Sequence, residues 1–262
     1  MDFHPVEANL RQSFRLLALA RARADVAELP GMTIASSDVT FRMFNAAFLS
    51  APVRTPEELE YRLDRARRHF ESRGLPWSFW CCEDWLERRV RPRLSPLCAA
   101  RNLRLASELP GMQARELYKQ RRALPQPEVR RVENFSTLQD FRTICSLCFH
   151  VPPAWFSEVF HDNIVTSAPD FVCWVGYDQG RPIATAATVT SGEAIGIYNI
   201  GVATGYRGRG VAEGITRHAV EAAQAGVRDL PLILQSTSLG QRMYQKMGFR
   251  EVTRILVYNS VS

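Results

Sequence analysis

The most informative stretch of this sequence is NIGVATGYRGRGVAEGI, residues 199–215. An extended apolar segment here runs into a glycine-containing turn and then into a helix-forming sequence. Glycine lets the backbone approach a ligand closely, and the free N–H groups at a helix start attract phosphate. The pattern predicts a strand, a turn that cradles a pyrophosphate, and a helix. The candidate cradle residues are Arg207, Gly208, Arg209, Gly210, Val211 and Ala212.

Two short motifs follow each other at a characteristic distance. Residues 207–212 contain RxxGxA, and residues 244–249 contain YxxxGF on the next helix but one. In this order, the motifs resemble the GNAT superfamily of N-acetyltransferases over residues 127–262. The resemblance implies a mixed α/β sheet and acetyl-CoA as cosubstrate. It also implies transfer of the acetyl group to a primary amine by direct attack in a ternary complex.

The resemblance also assigns roles to single residues. Backbone groups of Ile200, Gly201 and Val202 would bind the pantetheine arm, and the Val202 amide would polarise the thioester carbonyl. Tyr244 would lie near the sulfur and protonate the departing thiolate, since a tyrosine keeps its proton at neutral pH. Thr237 stands where many members carry an asparagine, and its hydroxyl could still contact the coenzyme.

The base that accepts the amine proton is less well defined. Many GNAT members carry a glutamate on the central strand, but residues 195–202 contain no carboxylate. Glu193 is the nearest, and we take it as the candidate base, although a solvated turn would explain it equally. Tyr198, Asn199 or an ordered water are the other routes for the proton.

A dinucleotide site is the rival interpretation of the same glycines. Gly208, Gly210 and Gly214 form GxGxxxG, and Asp229 lies about twenty residues beyond, which would indicate NAD(P). However, the motif follows antiparallel-looking strands. Asp229 also precedes the next strand, whereas a ribose-binding acid belongs at its end.

Composition indicates a folded cytoplasmic protein. The 262 residues are 46% hydrophobic and 23% charged, and the sequence has neither a membrane-spanning apolar run nor a signal-peptide layout. In the cytoplasm the six cysteines are expected to be reduced. Cys145 and Cys148 form CxxC, but on an amphipathic helix without a second ligand pair they indicate core thiols, so we predict no metal site.

The formal charge of +6 comes from the first half of the chain alone. Residues 1–126 hold 21 basic and 15 acidic side chains, and residues 127–262 hold 12 of each. This basic half raises the alternative of a nucleic-acid-binding module. Acids interleaved among the arginines favour a solvated surface instead. No motif identifies the acceptor or the oligomeric state. The arginines that could contact nucleic-acid phosphates are Arg62, Arg65, Arg67, Arg68, Arg73, Arg88, Arg89, Arg91 and Arg93.

A proline-rich break at residues 121–128 divides the chain into two expected domains, 1–126 and 127–262, called here the first half and the second half. The periodicity of the second half predicts the order β-α-α-β-β-β-α-β-α-β, with Ser136 capping its first helix.

The sequence of the first half predicts a run of helix, strand, helix and strand, like that of residues 210–258. TPEELEYRLDRARRHFESRG should form a helix capped by its threonine, PWSFWCCEDW a strand, and residues 101–118 a helix, a glycine turn and a strand. ELPGM also occurs twice, at 28–32 and 108–112. We therefore expect a degenerate, non-catalytic GNAT-like repeat without the two motifs. An unrelated helical cap is the alternative.

Overall fold

The computed structural model describes residues 2–23, 25–227 and 229–261. Its helices are α1 (His4–Leu19), α2 (Pro56–Glu71), α3 (Leu94–Ala99), α4 (Phe135–Phe149), α5 (Pro153–Val159), α6 (Ile164–Ser167), α7 (Val211–Gln224) and α8 (Ser238–Met247). Its strands are β1 (Asp25–Leu29), β2 (Met32–Ser36), β3 (Asn45–Leu49), β4 (Ser78–Cys82), β5 (Leu103–Ala114), β6 (Glu128–Arg131), β7 (Phe171–Asp178), β8 (Arg181–Thr190), β9 (Ile195–Val202), β10 (Leu232–Gln235) and β11 (Arg250–Ser260).

The strands form one mixed sheet in the order β1-β2-β3-β4-β11-β5-β10-β9-β8-β7-β6. The two halves exchange their last strands within it. Strand β5 of the first half pairs with β10, and β11 of the second half pairs with β4. The two exchanged strands also pair with each other, antiparallel, along most of their length. Each half therefore completes the sheet of the other.

The order of elements repeats in the two halves. The run α2-β4-α3-β5 corresponds to α7-β10-α8-β11, and this order agrees with the prediction, but the second helix of the first half lies at Leu94–Ala99 and not within residues 101–118, most of which form strand β5. The strands β3 and β4 pair parallel across the first helix of the run, and so do β9 and β10. The predicted mixed α/β sheet with a GNAT-like tandem layout is confirmed. The division at residue 126 stays a prediction, because the exchanged strands tie both halves into one sheet.

Helix α1 joins the two halves through the hydrophobic core. A single cluster of buried side chains includes Phe14 of α1, Trp80 of β4, and Phe160 and Phe171 of the second half. The Phe14 ring lies 5.0 Å from the Trp80 ring, edge to face. Eight of the sixteen residues of α1 are buried, so one side of this helix packs into the core that the two halves share.

The second half carries helices on both faces of the sheet. On one face, the Cys145 thiol of α4 lies 3.7 Å from the Thr185 hydroxyl of β8. On the other, Ile215 of α7 packs with Ala184 and Ala186 of β8. Side chains of a strand alternate between faces, so the residues on either side of Thr185 meet a different helix. Helix α8 packs beside α7 against β9 and β10.

Three local predictions need correction. Helix α4 is capped by Asn134, whose side chain accepts from the Thr137 amide at 3.0 Å, and not by Ser136. The second ELPGM lies inside the long strand β5, since the pairing with β10 and β11 holds it extended. Only the first forms a turn, between β1 and β2. A short helix, α6, was not predicted.

Candidate coenzyme site

Strand β9 carries a bulge and diverges from its neighbour β10. On the β8 side, Thr185 pairs with Gly201 and Ala187 with Tyr198, which leaves one extra residue on β9. Asn199, at this bulge, has φ 51°. On the β10 side, pairing covers only Ile195 and Gly196. The remaining backbone groups of β9 on that side are free of β10 and available to an extended ligand.

The turn after β9 has the backbone that its glycines predict. Gly208 has φ 75° and Gly210 has φ 94°, in the left-handed region where glycine is strongly favoured. Gly210 is also the N-cap of α7, and within the described chain no side chain caps this helix. The first amides of a helix have no partner inside it, so those of Val211 and Ala212 remain able to bind an anion.

The two arginines of the turn take different positions. The Arg207 side chain turns back to β9, where its Nε donates to the Val202 carbonyl at 2.9 Å. The Arg209 guanidinium lies 5.7 Å from the centre of the Tyr206 ring. Arg207 therefore fixes the turn to the strand, and Arg209 is the more accessible cation beside the helix start.

Tyr244 lies on α8, packed against the diverging strands. Its ring belongs to one buried cluster with Ile197 of β9 and Leu234 of β10, and it meets Phe249 edge to face at 5.8 Å. Burial raises the pKa of Tyr244 well above its usual value, so the phenol keeps its proton. Among the described residues its hydroxyl has no hydrogen-bond partner. The phenol is therefore a proton donor that no other protein group engages.

Thr237 occupies the N-cap of α8, yet its hydroxyl caps no amide of that helix. The Ser236 hydroxyl donates to the Thr237 carbonyl at 2.8 Å. The threonine thus lies at the end of β10 where this strand has left β9. It is seven residues before Tyr244 on the same helix, and its contact with the coenzyme stays a prediction.

The candidate bases lie away from the cradle or are already hydrogen-bonded. Glu193 is exposed on the turn before β9, and Val202 is the last residue of that strand, whose eight residues span roughly 25 Å at about 3.3 Å per residue. This distance weighs against Glu193, and its role stays a prediction. The Tyr198 hydroxyl donates to Asn9 at 2.7 Å, and burial raises the pKa of Tyr198 well above its usual value. Asn199 forms the bulge.

Sequence reasoning missed the contribution of α1 to this region. The Asn9 side chain donates to the carbonyls of Val189 and Ala194 at 3.0 and 2.9 Å, which ties α1 to the β8–β9 turn. Glu7 is buried beside it and receives a hydrogen bond from Arg11 at 2.8 Å. Burial raises the pKa of Glu7 despite this pairing. Only the tertiary contacts reveal these residues, because α1 carries no motif.

Several arginines of the first half are engaged by other groups of the protein. Arg62 is buried and donates to the Gly31, Ala51 and Pro52 carbonyls at 2.8 to 3.1 Å. Several others lie in ion pairs with acids. These are Arg67, Arg73, Arg89 and Arg91. The pairing does not favour the nucleic-acid alternative.

The geometry does not favour the dinucleotide alternative either. Strand β9 has an antiparallel neighbour in β8, and β10 has one in β5. Asp229 precedes β10 instead of following it. A ribose-binding acid belongs at the carboxyl end of that strand.

Residues 169–251 match the family model described as Acetyltransferase (GNAT) domain. This chain contains a GNAT domain. The match includes strands β7 to β10, the cradle and Tyr244. GNAT proteins transfer acyl groups from acyl-CoA, so the domain belongs to an acyl-transferring family. No curated protein has a sequence significantly similar to this chain.

Solved structures show the same GNAT fold over nearly the whole chain. A GCN5-related N-acetyltransferase from Kribbella flavida is 15% identical, with a TM-score of 0.72, over 98% of this chain and 95% of its own. A GCN5-related N-acetyltransferase from Sphaerobacter thermophilus is 15% identical, with a TM-score of 0.57, over 88% of this chain and 76% of its own. At this identity the likeness shows the fold alone. Within the described residues, every helix is too short or too polar to cross a membrane.

Proposed function

We propose that this protein transfers an acetyl group from acetyl-CoA to a primary amine, by direct attack of the amine on the thioester. The observation that carries the proposal is the open start of α7, with Gly210 at the cap, directly after a strand that has left its neighbour. A pyrophosphate fits such a helix start, and an extended arm fits such a strand edge.

The backbone of β9 would bind the pantetheine arm. Ile200, Gly201 and Val202 follow the bulge at Asn199, on the stretch of β9 that no longer pairs with β10. In this stretch the Val202 amide and the backbone groups that do not face β8 would pair with the arm's two amide groups, while the Val202 carbonyl accepts from Arg207. The Val202 amide would stabilise the negative charge that develops on the thioester oxygen.

Tyr244 would act as general acid, and Thr237 would contact the coenzyme. The phenol is protonated and has no hydrogen-bond partner among the described residues, and these are the two properties that a proton donor to a departing thiolate needs. The base that accepts the amine proton has no assigned side chain, since Glu193 lies at the far end of β9. An ordered water in the cleft is the route we favour.

Calorimetric titration of the full chain with acetyl-CoA tests the proposal, followed by an assay against a panel of primary amines. We expect one equivalent of coenzyme per chain, because among the described residues of the first half no helix begins with a glycine at its cap. Two equivalents would contradict the assignment of a single site. Binding of NADPH with no binding of CoA would overturn the proposed function in favour of the dinucleotide alternative.

A further inference from the structure

Helix α4 meets the backbone of β9 at Gly201, just beyond the bulge. A Cβ on Gly201 would lie 2.9 Å from Thr185 Oγ1, 3.1 Å from Cys148 Cβ and 3.2 Å from Cys148 Sγ. Heavy atoms in favourable contact are about 3.5 to 4.0 Å apart. The space between α4 and this part of β9 is therefore too small for one further carbon atom.

The Cys148 side chain also borders the next residue of the strand. Burial raises the pKa of the Cys148 thiol, and the Arg207 side chain and the Val202 amide beside the sulfur act in the opposite direction. Because the effect of burial is the larger one, the thiol stays protonated near neutral pH. Cys148 is therefore a poor nucleophile, and it affects a neighbouring ligand through its volume.

The Val202 amide faces the gap between β9 and β10. Backbone groups of successive residues point to opposite sides of a strand, and the next amide, that of Ala203, donates to the Ile183 carbonyl of β8 at 2.9 Å. The Val202 carbonyl accepts from Arg207 at 2.9 Å and not from β8. A thioester oxygen bound by the Val202 amide would thus lie in the gap, with the Cys148 sulfur beside it.

The acyl end of the coenzyme would emerge on the face of the sheet that carries α4. The cradle lies at the start of α7, which packs on the opposite face together with α8. A pantetheine arm that begins at the cradle and passes through the gap between β9 and β10 brings its acyl group to the α4 face. The first side chain of α4 that it meets there is Cys148.

The other large side chain of β9 on this face leaves that space open. Tyr198 leans back over Gly196, where a Cβ would lie 2.5 Å from Tyr198 Cε2. The Tyr198 hydroxyl is held by Asn9 at 2.7 Å, which keeps the ring in this position. The room for an acyl group beside Val202 therefore depends on the size of Cys148.

We infer that the packing of Cys148 against Gly201 restricts the acyl group to acetyl, so that Cys148 determines which acyl-CoA the site accepts. This inference rests on the proposed function. The methyl of an acetyl group ends beside the thioester carbon, whereas each further methylene would enter the space that the Cys148 sulfur fills. Extra methylenes in a closely packed site force neighbouring side chains to shift, and one methylene changes the discrimination between ligands by roughly ten- to two-hundredfold.

Calorimetry of the full chain with CoA, acetyl-CoA and butyryl-CoA tests the inference without knowledge of the acceptor. The wild type should bind butyryl-CoA roughly tenfold or more weakly than acetyl-CoA. Cys148→Ala removes the sulfur and should abolish most of this difference. Cys148→Ser keeps nearly the same volume and should retain the preference for acetyl-CoA. CoA carries no acyl group, so its affinity should be the same in all variants.

Cys145→Ala is the matched control, because it removes a thiol from the same helix one turn earlier. That thiol lies 3.7 Å from the Thr185 hydroxyl, beneath the contact of Cys148 with Gly201. The control variant should keep the wild-type preference for acetyl-CoA. Circular dichroism of each variant shows whether it is folded, and the comparison of acyl chains on the wild type needs no substitution.

The outcomes separate this inference from the proposed function. Equal affinity of the wild type for acetyl-CoA and butyryl-CoA, or a preference that persists in folded Cys148→Ala, would overturn the role of Cys148 while leaving coenzyme binding intact. Loss of the preference in Cys145→Ala as well would show that general loosening of α4, and not the size of Cys148, is the cause. Failure of the wild type to bind any of the three coenzymes would overturn the proposed function and this inference with it.

Discussion

Helices α2 and α7 occupy equivalent positions in the two halves, but their first turns differ in hydrogen bonding and in charge. The start of α2 is closed, since the Thr55 side chain accepts from the Glu58 amide at 3.2 Å and Glu57 and Glu58 add negative charge. The start of α7 is open, with glycine at the cap and no side chain on its amides in the described structure. An anion is repelled at the first and attracted at the second.

The next helices differ in the same way. Cys98 of α3 comes four residues before Asn102, which has φ 58° and precedes β5. Tyr244 of α8 comes four residues before Gly248, which has φ 109° and precedes β11. Both helices end at a residue with positive φ, but the buried Cys98 thiol of α3 stands at the position that the Tyr244 phenol has in α8. The repeat in the first half therefore preserves the order of elements and the backbone turns of the site, but not the open helix start or the tyrosine.

Tyr244→Phe tests the chemical side of this comparison and should have the largest effect. The ring packing stays and only the acidic proton is lost, so the maximal rate should fall by roughly 10²- to 10⁴-fold with little change in CoA affinity. Steady-state kinetics and calorimetry on the same preparation measure both. An unchanged rate with a good amine would show that the thiolate leaves without this proton, and Tyr244 would be a packing residue.

Ala212→Glu gives α7 the kind of acid that α2 carries in its first turn. A carboxylate beside the expected pyrophosphate should weaken CoA binding by roughly ten- to a hundredfold, measured by calorimetry. Ala212 suits this test better than Gly210, where a Cβ would lie 2.9 Å from Leu124. Ala225→Glu, at the other end of α7, is the control and should bind normally. Equal affinities for the two variants would place the coenzyme elsewhere.

Thr55→Ala opens the start of α2. The Glu58 amide loses its partner, and the free energy of unfolding should fall by about 1 kcal/mol, within the range known for lost N-caps. Urea unfolding followed by circular dichroism measures the change. Thr55→Ser keeps the hydroxyl and should stay near the wild type. If the alanine variant bound a second CoA, the result would show that the Thr55 cap alone prevents the first half from binding the coenzyme.

Glu7→Gln should have the smallest effect and reports on α1, which joins the halves. The pKa of Glu7 is raised by burial, so its protonated form favours folding. The wild type should therefore lose stability relative to the glutamine variant as the pH rises from about 4.5 through the raised pKa. Urea unfolding at a series of pH values measures this difference. A flat difference for Glu7→Gln would contradict the expectation.

Much of the second half was predictable because its signals are local. The periodicity at 171–202 predicted three antiparallel strands, and the glycines at 208 and 210 predicted the turn. Both glycines have the positive φ that only a residue without Cβ adopts easily. Helices α7 and α8 and strands β10 and β11 lie within a few residues of their predicted bounds. Where the turn residues and the hydrophobic periodicity indicate the same elements, the local structure can be predicted from the sequence.

The exchange of β5 and β11 could not be predicted, because strand pairing depends on partners far apart in sequence. The segment 101–118 has a glycine and a proline that suggest a turn, yet pairing with β10 on one side and β11 on the other keeps it extended. The same holds for α4, where both Asn134 and Ser136 could cap and only the geometry of the turn selects between them.

The family resemblance and the cradle could be predicted from the sequence, because a helix start bounded by glycines needs only a short stretch of chain. Tertiary structure alone decided what surrounds it. It brought Asn9 of α1 to the turn between β8 and β9 and placed Arg122 beside the glycine that caps α7. The physical reason is that local motifs fix backbone conformation, whereas charges and walls from distant segments meet only when the whole core has packed.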